Sequence, residues 1–265
     1  TSPVFSPDGK RLAYVGSRGQ KQFVVLAGKE SGPYEEVLGN PVFSPDSSHL
    51  AWVVQGADGV WVATDQGQWP AVQGIGDGTP LFGIDSKHLA SIEKVEDGWR
   101  VTVDGRPGPV FDGVVRGTIV ALPSGEFAYV AGKGQSMSLM VGTRCLLEAP
   151  MFRGGAVVVP GAEELAFVEV HENWERLHTP AGPLEKHQAV ASPVWSEDGK
   201  HFARLTVDSD QVSIRVDDAV FGPYLGAGVV HFLKNGHWVA EVSETARRCL
   251  VVDGASFCGY ENSAG

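Results

Sequence analysis

One segment recurs along this chain at a nearly constant spacing. The segment Pro3–Val15 contains an apolar pair, a Pro-Asp-Gly turn and a second apolar run, which is the pattern of two strands joined by a tight turn. A close copy spans Pro41–Val53. One alanine marks the copies at intervals of 37 to 39 residues: Ala13, Ala51, Ala90, Ala128, Ala166, Ala203 and Ala240. Seven units of this length predict a repeat architecture.

Each copy contains four short apolar runs, which we name strands A to D. In the first copy these strands are predicted at Pro3–Ser6, Leu12–Val15, Phe23–Ala27 and Tyr34–Leu38. Asp-Gly and Asn-Gly dipeptides recur at the A–B and C–D turns, where they suit two-residue hairpins. A Gly-Pro pair, as at Gly32-Pro33, precedes several D strands and predicts that D lies at the edge of its sheet.

Strand B is apolar at consecutive positions, which predicts that both faces of each small sheet are covered. Sheets of four strands with two covered faces are typical of blades arranged around an axis. The sequence therefore predicts an all-β fold, a seven-bladed β-propeller with four antiparallel strands per blade. It begins at an inner strand A, ends after an outer strand D, and forms a single domain over residues 1–265. The predicted blades are approximately 1–39, 40–77, 78–116, 117–154, 155–191, 192–228 and 229–265.

The amino-acid sequence of the repeat resembles that of a known protein family. Phe5–Val15 and Phe43–Val53 are similar to the repeats of TolB-type, WD-repeat-like bacterial β-propellers, and Trp195–Lys200 is a further version. The resemblance implies the propeller fold and, as in TolB-like proteins, a periplasmic location. Those proteins usually have six blades, so a seventh argues against identity with TolB itself. Similar repeats form the propeller domain of prolyl-oligopeptidase-like enzymes, which need a separate hydrolase domain.

The formal net charge of −11 opposes binding to nucleic acid or to an anionic membrane surface. No apolar run is long enough to span a membrane. The first residue is Thr1, with no leader after it, so we expect a processed form or an excised domain. The tail Gly259–Gly265 is predicted to resemble a linker between blades.

The three cysteines give evidence on whether the protein resides in an oxidising compartment. Cys249 and Cys258 flank Asp253-Gly254, and a hairpin turn there places them opposite each other on neighbouring strands. They form either a disulfide, which predicts a periplasmic or extracellular location, or two packed thiols. We expect Cys145 to be buried and inert.

Four of the eight histidines recur at nearly the same position of the repeat. His49, His88 and His201 fall two positions before the marker alanine at A–B turns, and His237 falls one position earlier. Repeat position explains these four better than metal ligation does. His231 replaces an aliphatic residue of strand A and is either a satisfied inner histidine or a ligand. Among the tryptophans, Trp69 is the best candidate for an exposed aromatic side chain.

A binding site is predicted at the channel mouth, where the loops before strand A gather. The candidates there are Asn40, Asp77, Arg116, Arg153 and His231, and the two arginines together suit a carboxylate or an acidic peptide. We predict no metal ion and no cofactor, because these ligand types are few, and no catalytic nucleophile motif is present.

The favoured function is a non-catalytic scaffold that binds a protein or peptide on its loop-rich face, as a monomer or as part of a larger assembly. Two alternatives stay open at this point. One is a propeller enzyme of the lactonase or glycan-active type, with a site near Asn40, Asp77 and His231. The other is the regulatory propeller of a larger hydrolase.

Overall fold

The computed structural model describes residues 2–162, 164–191, 193–245 and 247–259. The chain divides into two compact units, Thr1–Glu148 and Ala149–Gly265. The described residues contain strands and turns but no helix, and so none long and apolar enough to cross a membrane. The end of the predicted linker, 260–265, lies outside the described residues.

Four antiparallel sheets are built mainly from the first unit. Sheet 1 contains β1 (Val4–Phe5), β2 (Leu12–Arg18), β3 (Lys21–Leu26) and β4 (Lys29–Tyr34). Sheet 2 contains β5 (Glu36–Phe43), β6 (Leu50–Gly56), β7 (Gly59–Thr64) and β8 (Gly67–Gln68). Sheet 3 contains β9 (Gly74–Ile75), β10 (Leu81–Phe82), β11 (Leu89–Val95), β12 (Gly98–Val103) and β13 (Arg106–Phe111). Sheet 4 contains β14 (Gly113–Val114), β15 (Val120–Ala121), β16 (Phe127–Lys133), β17 (Ser136–Val141) and β18 (Arg144–Ala149).

Three antiparallel sheets form the second unit. Sheet 5 contains β19 (Met151–Phe152), β20 (Val157–Val158), β21 (Leu165–Val170), β22 (Glu175–Thr179) and β23 (Gly182–His187). Sheet 6 contains β24 (Ala189–Val190), β25 (Val194–Trp195), β26 (Phe202–Asp208), β27 (Gln211–Val216) and β28 (Ala219–Tyr224). Sheet 7 contains β29 (Gly226–Ala227), β30 (His231–Phe232), β31 (Trp238–Glu244), β32 (Arg247–Val252) and β33 (Ala255–Cys258).

Each sheet has four strand positions, A to D in chain order, and in sheets 3 to 7 strand A consists of two short segments that both pair with strand B. Seven such sheets confirm the predicted class: the chain is an all-β repeat protein of the seven-bladed β-propeller type. The A–B and C–D turns lie at one edge of every sheet, which we call the AB edge. The B–C turns lie at the opposite edge, the BC edge.

Apolar side chains fill the spaces between neighbouring sheets within each unit. Strand B of sheet 2 is buried at five consecutive residues, Leu50 to Val54. One face packs with Ala13 and Val24 of sheet 1, and the other with Phe82 and Leu89 of sheet 3. The consecutive apolar residues of strand B are therefore covered on both faces of the sheet, as the sequence predicted.

Strand D of the first sheet differs from the prediction. It is β4, Lys29–Tyr34, so the predicted strand Tyr34–Leu38 is wrong. Glu36 to Leu38 instead begin strand A of sheet 2, where Val37 pairs with Val54. The chain leaves one sheet and enters the next within two residues, so an apolar run after Gly32-Pro33 belongs to the following sheet.

In six of the A–B turns, a residue with positive φ donates its N–H to the carbonyl three residues earlier. This residue is Gly9, Ser47, Ser86, Gly125, Gly199 or Gly236. The two serines also link neighbouring turns. Ser47 Oγ accepts the N–H of Asp8 at 3.0 Å, and Ser86 Oγ accepts the N–H of Asp46 at 2.9 Å. Both serines are buried, so each bond is shielded from water.

The cysteines occupy two environments. Cys249 and Cys258 are directly opposed on β32 and β33 and are joined by a disulfide. Cys145 lies on β18 and is exposed, so the expectation that it is buried is wrong. Strand β18 is a D strand, and its first three residues face solvent.

We predict that Ser47→Ala destabilises the protein by about 1 kcal/mol, because the N–H of Asp8 loses a buried acceptor while the positive φ remains strained. Ser47→Gly loses the same bond but relieves the strain, so its stability stays near that of the wild type. Urea unfolding followed by circular dichroism measures both. A Gly variant as unstable as the Ala variant would contradict this account.

Thiol titration provides a second test. We predict that one thiol, Cys145, reacts in the folded protein and that only one reacts after denaturation without a reductant. Prior reduction should raise the number to three, because the disulfide then opens. Three reactive thiols in the unreduced, denatured protein would show that Cys249 and Cys258 are not bridged.

Candidate functional site

The residues predicted for the channel mouth lie on or beside strand A. In the first unit, Asp77 and Arg116 form an exposed ion pair of 3.2 Å between Oδ2 and Nη2. Asn40 is exposed on β5. The structure thus brings Asp77 to Arg116, and each neutralises the other. A pair this exposed adds little stability.

Two predicted residues lie in the second unit. Arg153 donates from Nε to Oε2 of Glu175 at 3.0 Å and from Nη2 to Oε1 of the same carboxylate. The hydrogen bond to Glu175 raises the pKa of Arg153. Glu175 is buried and also accepts the N–H of Val190 at 2.7 Å. Arg153 is therefore already bound to a buried carboxylate of its own chain, although its own side chain reaches the solvent.

His231 lies on β30 opposite Val239. Its side chain is exposed, and among the described residues it has no hydrogen-bond or ion-pair partner. As binding residues, Asn40, Asp77, Arg116, Arg153 and His231 remain a prediction.

A second group of histidines has a common geometry that the sequence interpretation missed. At the AB edge of four sheets, a histidine just before strand B faces an aspartate sixteen residues later, at the C–D turn. The pairs are His49 with Asp65, His88 with Asp104, His201 with Asp217, and His237 with Asp253. The same aspartate accepts the first N–H of strand B, at 2.9 to 3.4 Å. The fixed spacing of sixteen residues is a signal that could have revealed the pairs from the sequence.

The structure corrects the alignment of His237. It precedes strand B directly, as His49, His88 and His201 do, and so does not align with Lys10. The A–B turn of sheet 7 is one residue shorter, because Phe232 pairs with Trp238 whereas Phe5 pairs with Leu12. Val239 therefore takes the position of Ala13, and the marker Ala240 is displaced by one residue.

His88 differs from the other three histidines. Its Nδ1 lies 2.6 Å from Oδ2 of Asp85, and its Nε2 lies 3.8 Å from Oδ2 of Asp104. Burial raises the pKa of Asp85, but the hydrogen bond from His88 and those from the N–H groups of Lys87 and His88 together lower it below its usual value. Only glycine fits at position 125, since a Cβ there would lie 2.5 Å from Nδ1 of His88. One imidazole thus joins two carboxylates at the AB edge of sheet 3.

A cleft lies on each side of sheet 3, near His88. The first cleft, between sheets 2 and 3, has a volume of about 330 Å³. Trp69, Phe82 and Leu89 form its apolar part, while His49, Asp65, Lys87 and Asp104 supply its polar groups. Trp69 is half-buried and lies beside Gly105, so it is less exposed than we expected.

The second cleft, between sheets 3 and 4, has a volume of about 300 Å³. Its apolar residues are Val101, Val103, Phe127 and Tyr129, and its charged residues include Asp104, Arg106 and Glu126. Tyr129 donates to the carbonyl of Gly142 at 3.0 Å, and burial raises its pKa to about 12. Its hydroxyl is thus a neutral donor at physiological pH. Asp104 lines both clefts.

The aspartates of the A–B turns also recur. Ser6, Ser44 and Ser196 each donate from Oγ to the aspartate two residues later, at 2.6 to 2.7 Å. The hydroxyl of Ser196 and then the N–H of Lys200 lower the pKa of Asp198 to about 2. The AB edge therefore carries several carboxylates that stay ionised well below neutral pH.

Comparisons with known proteins give only distant similarities. No family model and no curated protein matches the chain. Among solved structures, a prolyl endopeptidase has 15% identity and a TM-score of 0.40 over 98% of this chain and 49% of its own. TolB from Acinetobacter baumannii has 15% identity and a TM-score of 0.34, over 80% of this chain and 55% of its own. The β-propeller domain of the Trilobed protease from Pyrococcus furiosus has 11% identity and a TM-score of 0.40, over 99% and 95%.

The chain thus spans about half of the length of the first two proteins. Similarity at this level carries nothing about substrate or partner, and the fold assignment rests on the strand pairing described above.

We predict that Ser196→Ala lowers stability most at neutral pH. A lowered carboxylate pKa stabilises the folded state above the unfolded value of about 3.9, and this contribution is lost as the pH falls toward about 2. The stability gap to the wild type should therefore narrow over that window. A constant part remains, because Ser196 also accepts the N–H of His201.

Urea unfolding at a series of pH values measures the gap. Ser17→Ala is the control, since Ser17 is exposed and its hydroxyl has no partner among the described residues. A gap for Ser196→Ala that does not change with pH would contradict the assignment.

Proposed function

We propose that this protein is a non-catalytic β-propeller scaffold that binds an extended segment of a protein partner along the AB edge of its first unit. The observation that carries the proposal is the pair of clefts on either side of sheet 3. Each combines an apolar lining with a few charged groups, the combination that accepts single anchoring side chains of a partner. The sequence predicts the same function at the loops before strand A, which belong to the opposite, BC edge.

The charges of the clefts favour a cationic partner. Asp65, Asp104 and Glu126 are carboxylates of the two clefts, and the whole chain carries a formal net charge of −11. Lys87 and Arg106 also line the clefts, so the partner segment should carry both apolar anchors and cationic side chains, with the cations opposite the carboxylates. Complementary charge of this kind speeds association and sets the register of binding.

The histidine–aspartate pairs support a scaffold more than an enzyme. The same pair occupies the same position in four sheets, where the aspartate also holds the start of strand B. A contact repeated in this way is typical of a structural role. In the enzyme alternative, Asp77 would have to release Arg116 before it served as a ligand. No geometry among the described residues favours the alternative of a regulatory propeller of a larger hydrolase.

We also propose that the protein works in an oxidising compartment, the periplasm or the extracellular space. The disulfide between Cys249 and Cys258 supports this location, because such bonds persist where thiols are not kept reduced.

Peptides selected from a phage-displayed random library against the immobilised protein test the proposal. We predict that selected peptides share an apolar residue next to lysine or arginine, and that Asp104→Asn weakens their binding about tenfold, since one carboxylate serves both clefts. Asparagine tolerates the positive φ of position 104. Fluorescence anisotropy at two salt concentrations measures the affinities.

Asp253→Asn is the matched control, because Asp253 has the same φ region and the same bond to strand B in sheet 7, and it also faces the histidine sixteen residues earlier, although more closely than Asp104 does. Thr143→Trp, at an exposed position of the second cleft, should block binding, whereas Gln135→Trp at the BC edge should not. Failure to enrich any peptide, or equal binding by the Asp104 and Asp253 variants, would refute the proposal.

A further inference from the structure

Between sheets 5 and 6, two arginines lie side by side in a largely buried place. Arg204 on β26 is directly opposed to Arg215 on β27. Arg204 is only 6% exposed, and its Nη1 is buried without a hydrogen-bond partner. Its guanidinium lies 5.4 Å from the ring centre of Phe202. A buried guanidinium with a free donor is costly, which makes this position unusual.

One carboxylate serves both cations. Oε2 of Glu185, on β23, lies 3.6 Å from Nη2 of Arg204 and 3.9 Å from Nη1 of Arg215. Both distances exceed those of a charge-assisted hydrogen bond. The side chain of Glu185 is 68% exposed, so it covers the arginines from the solvent side. Arg215 also donates from Nε to Oγ1 of Thr206 at 3.2 Å.

The carboxylates near the pair attract the two arginines but make no charge-assisted hydrogen bond to either of them among the described residues. Burial lowers the pKa of Arg204, and the neighbouring Arg215 lowers it further, while Glu185 and Asp218 act in the opposite direction. Asp208 is engaged by His187, whose Nδ1 lies 2.6 Å from its Oδ2. Asp208 attracts Arg215, but its oxygens are hydrogen-bonded to His187 and to the N–H of Gln188 rather than to either arginine.

We propose that Arg204 and Arg215 form a binding site for a phosphate-type oxyanion, whose oxygens replace the carboxylate of Glu185. Two planar guanidinium groups on adjacent strands present several N–H donors to one tetrahedral anion, the geometry in which arginine recognises phosphate. The anion would satisfy the free Nη1 of Arg204, which Glu185 does not reach. The site lies within the second unit and is independent of the clefts of the first.

Glu185 is then a competitor that the ligand must displace. Because its side chain is exposed and makes no short bond, displacement needs only a rotation of the side chain into solvent. Removing its charge should therefore strengthen binding of the anion, whereas removing either guanidinium should abolish it. These opposite signs separate a specific site from general attraction to surface arginines.

Isothermal titration with inorganic phosphate tests the proposal in the full chain. We expect saturable binding of one phosphate per chain, about tenfold tighter binding in Glu185→Gln, and no binding in Arg215→Gln or Arg204→Met. Glu30→Gln is the matched control, because Glu30 pairs with the exposed Arg18 in sheet 1 and its change should leave binding unaltered. Circular dichroism confirms that each variant is folded.

Arg204→Met removes a buried, incompletely paired charge, so it should fold as well as the wild type. If Arg204→Met does not fold, Arg215→Gln and Glu185→Gln decide the question. A second titration with phenyl phosphate and with a phosphoserine peptide distinguishes a free anion from a phosphoryl group on a larger ligand. Absence of saturable phosphate binding in both the wild type and Glu185→Gln would overturn the proposal, as would unchanged binding in Arg215→Gln.

Discussion

The structure depends on the burial of both faces of each small antiparallel sheet. A four-stranded sheet of this size is stable only when neighbouring sheets cover it, and strand B is apolar at consecutive residues for that reason. The requirement moves polar side chains to the two edges, where the turns lie, and to the outer strands. Charged residues that remain between sheets need partners there: Glu93 is buried with Arg100 and Thr102, and Glu175 with Arg153. Among the described residues, Arg204, Arg11 and Arg176 each have one buried donor without a hydrogen-bond partner, and Arg204 is the one whose whole side chain is buried.

Much of the fold could be predicted from the sequence because the spacing of apolar residues in each repeat indicates which residues of strands A and B pair. Phe5 pairs with Leu12 and Phe43 with Leu50, as the spacing of the apolar residues implies. The error at Tyr34–Leu38 arose because an apolar pair after a Gly-Pro fits the end of one sheet and the start of the next equally well. The displacement of Ala240 arose because counting from one residue does not detect a turn shortened by one residue. Cys145 was misjudged because the pattern Arg-Cys-Leu-Leu does not reveal which face of an edge strand is covered.

The site was less predictable than the fold. The histidine–aspartate pairs are present in the sequence as a spacing of sixteen residues, but each partner was interpreted separately, the histidines as repeat positions and Asp104 and Asp253 as turn residues. The clefts depend on the space left between the side chains of two neighbouring sheets, and no periodicity of one strand contains that information. The pair of Arg204 and Arg215 required the exact register of β26 and β27. The sequence pointed to the loops before strand A because these loops gather at the channel mouth of a propeller.

The position of Asp104 has a consequence for binding stoichiometry. Its carboxylate borders both clefts, so a cation bound in one of them reduces the negative potential that the other offers. Two separate cationic ligands would therefore bind with negative cooperativity. A single chain that crosses sheet 3 meets no such penalty, because it needs only one positive charge at the shared carboxylate and places apolar side chains on either side. The shared carboxylate therefore favours a ligand that is long enough to cross sheet 3 as well as cationic. Short fragments of such a ligand would lose more affinity than the sum of their separate contacts suggests.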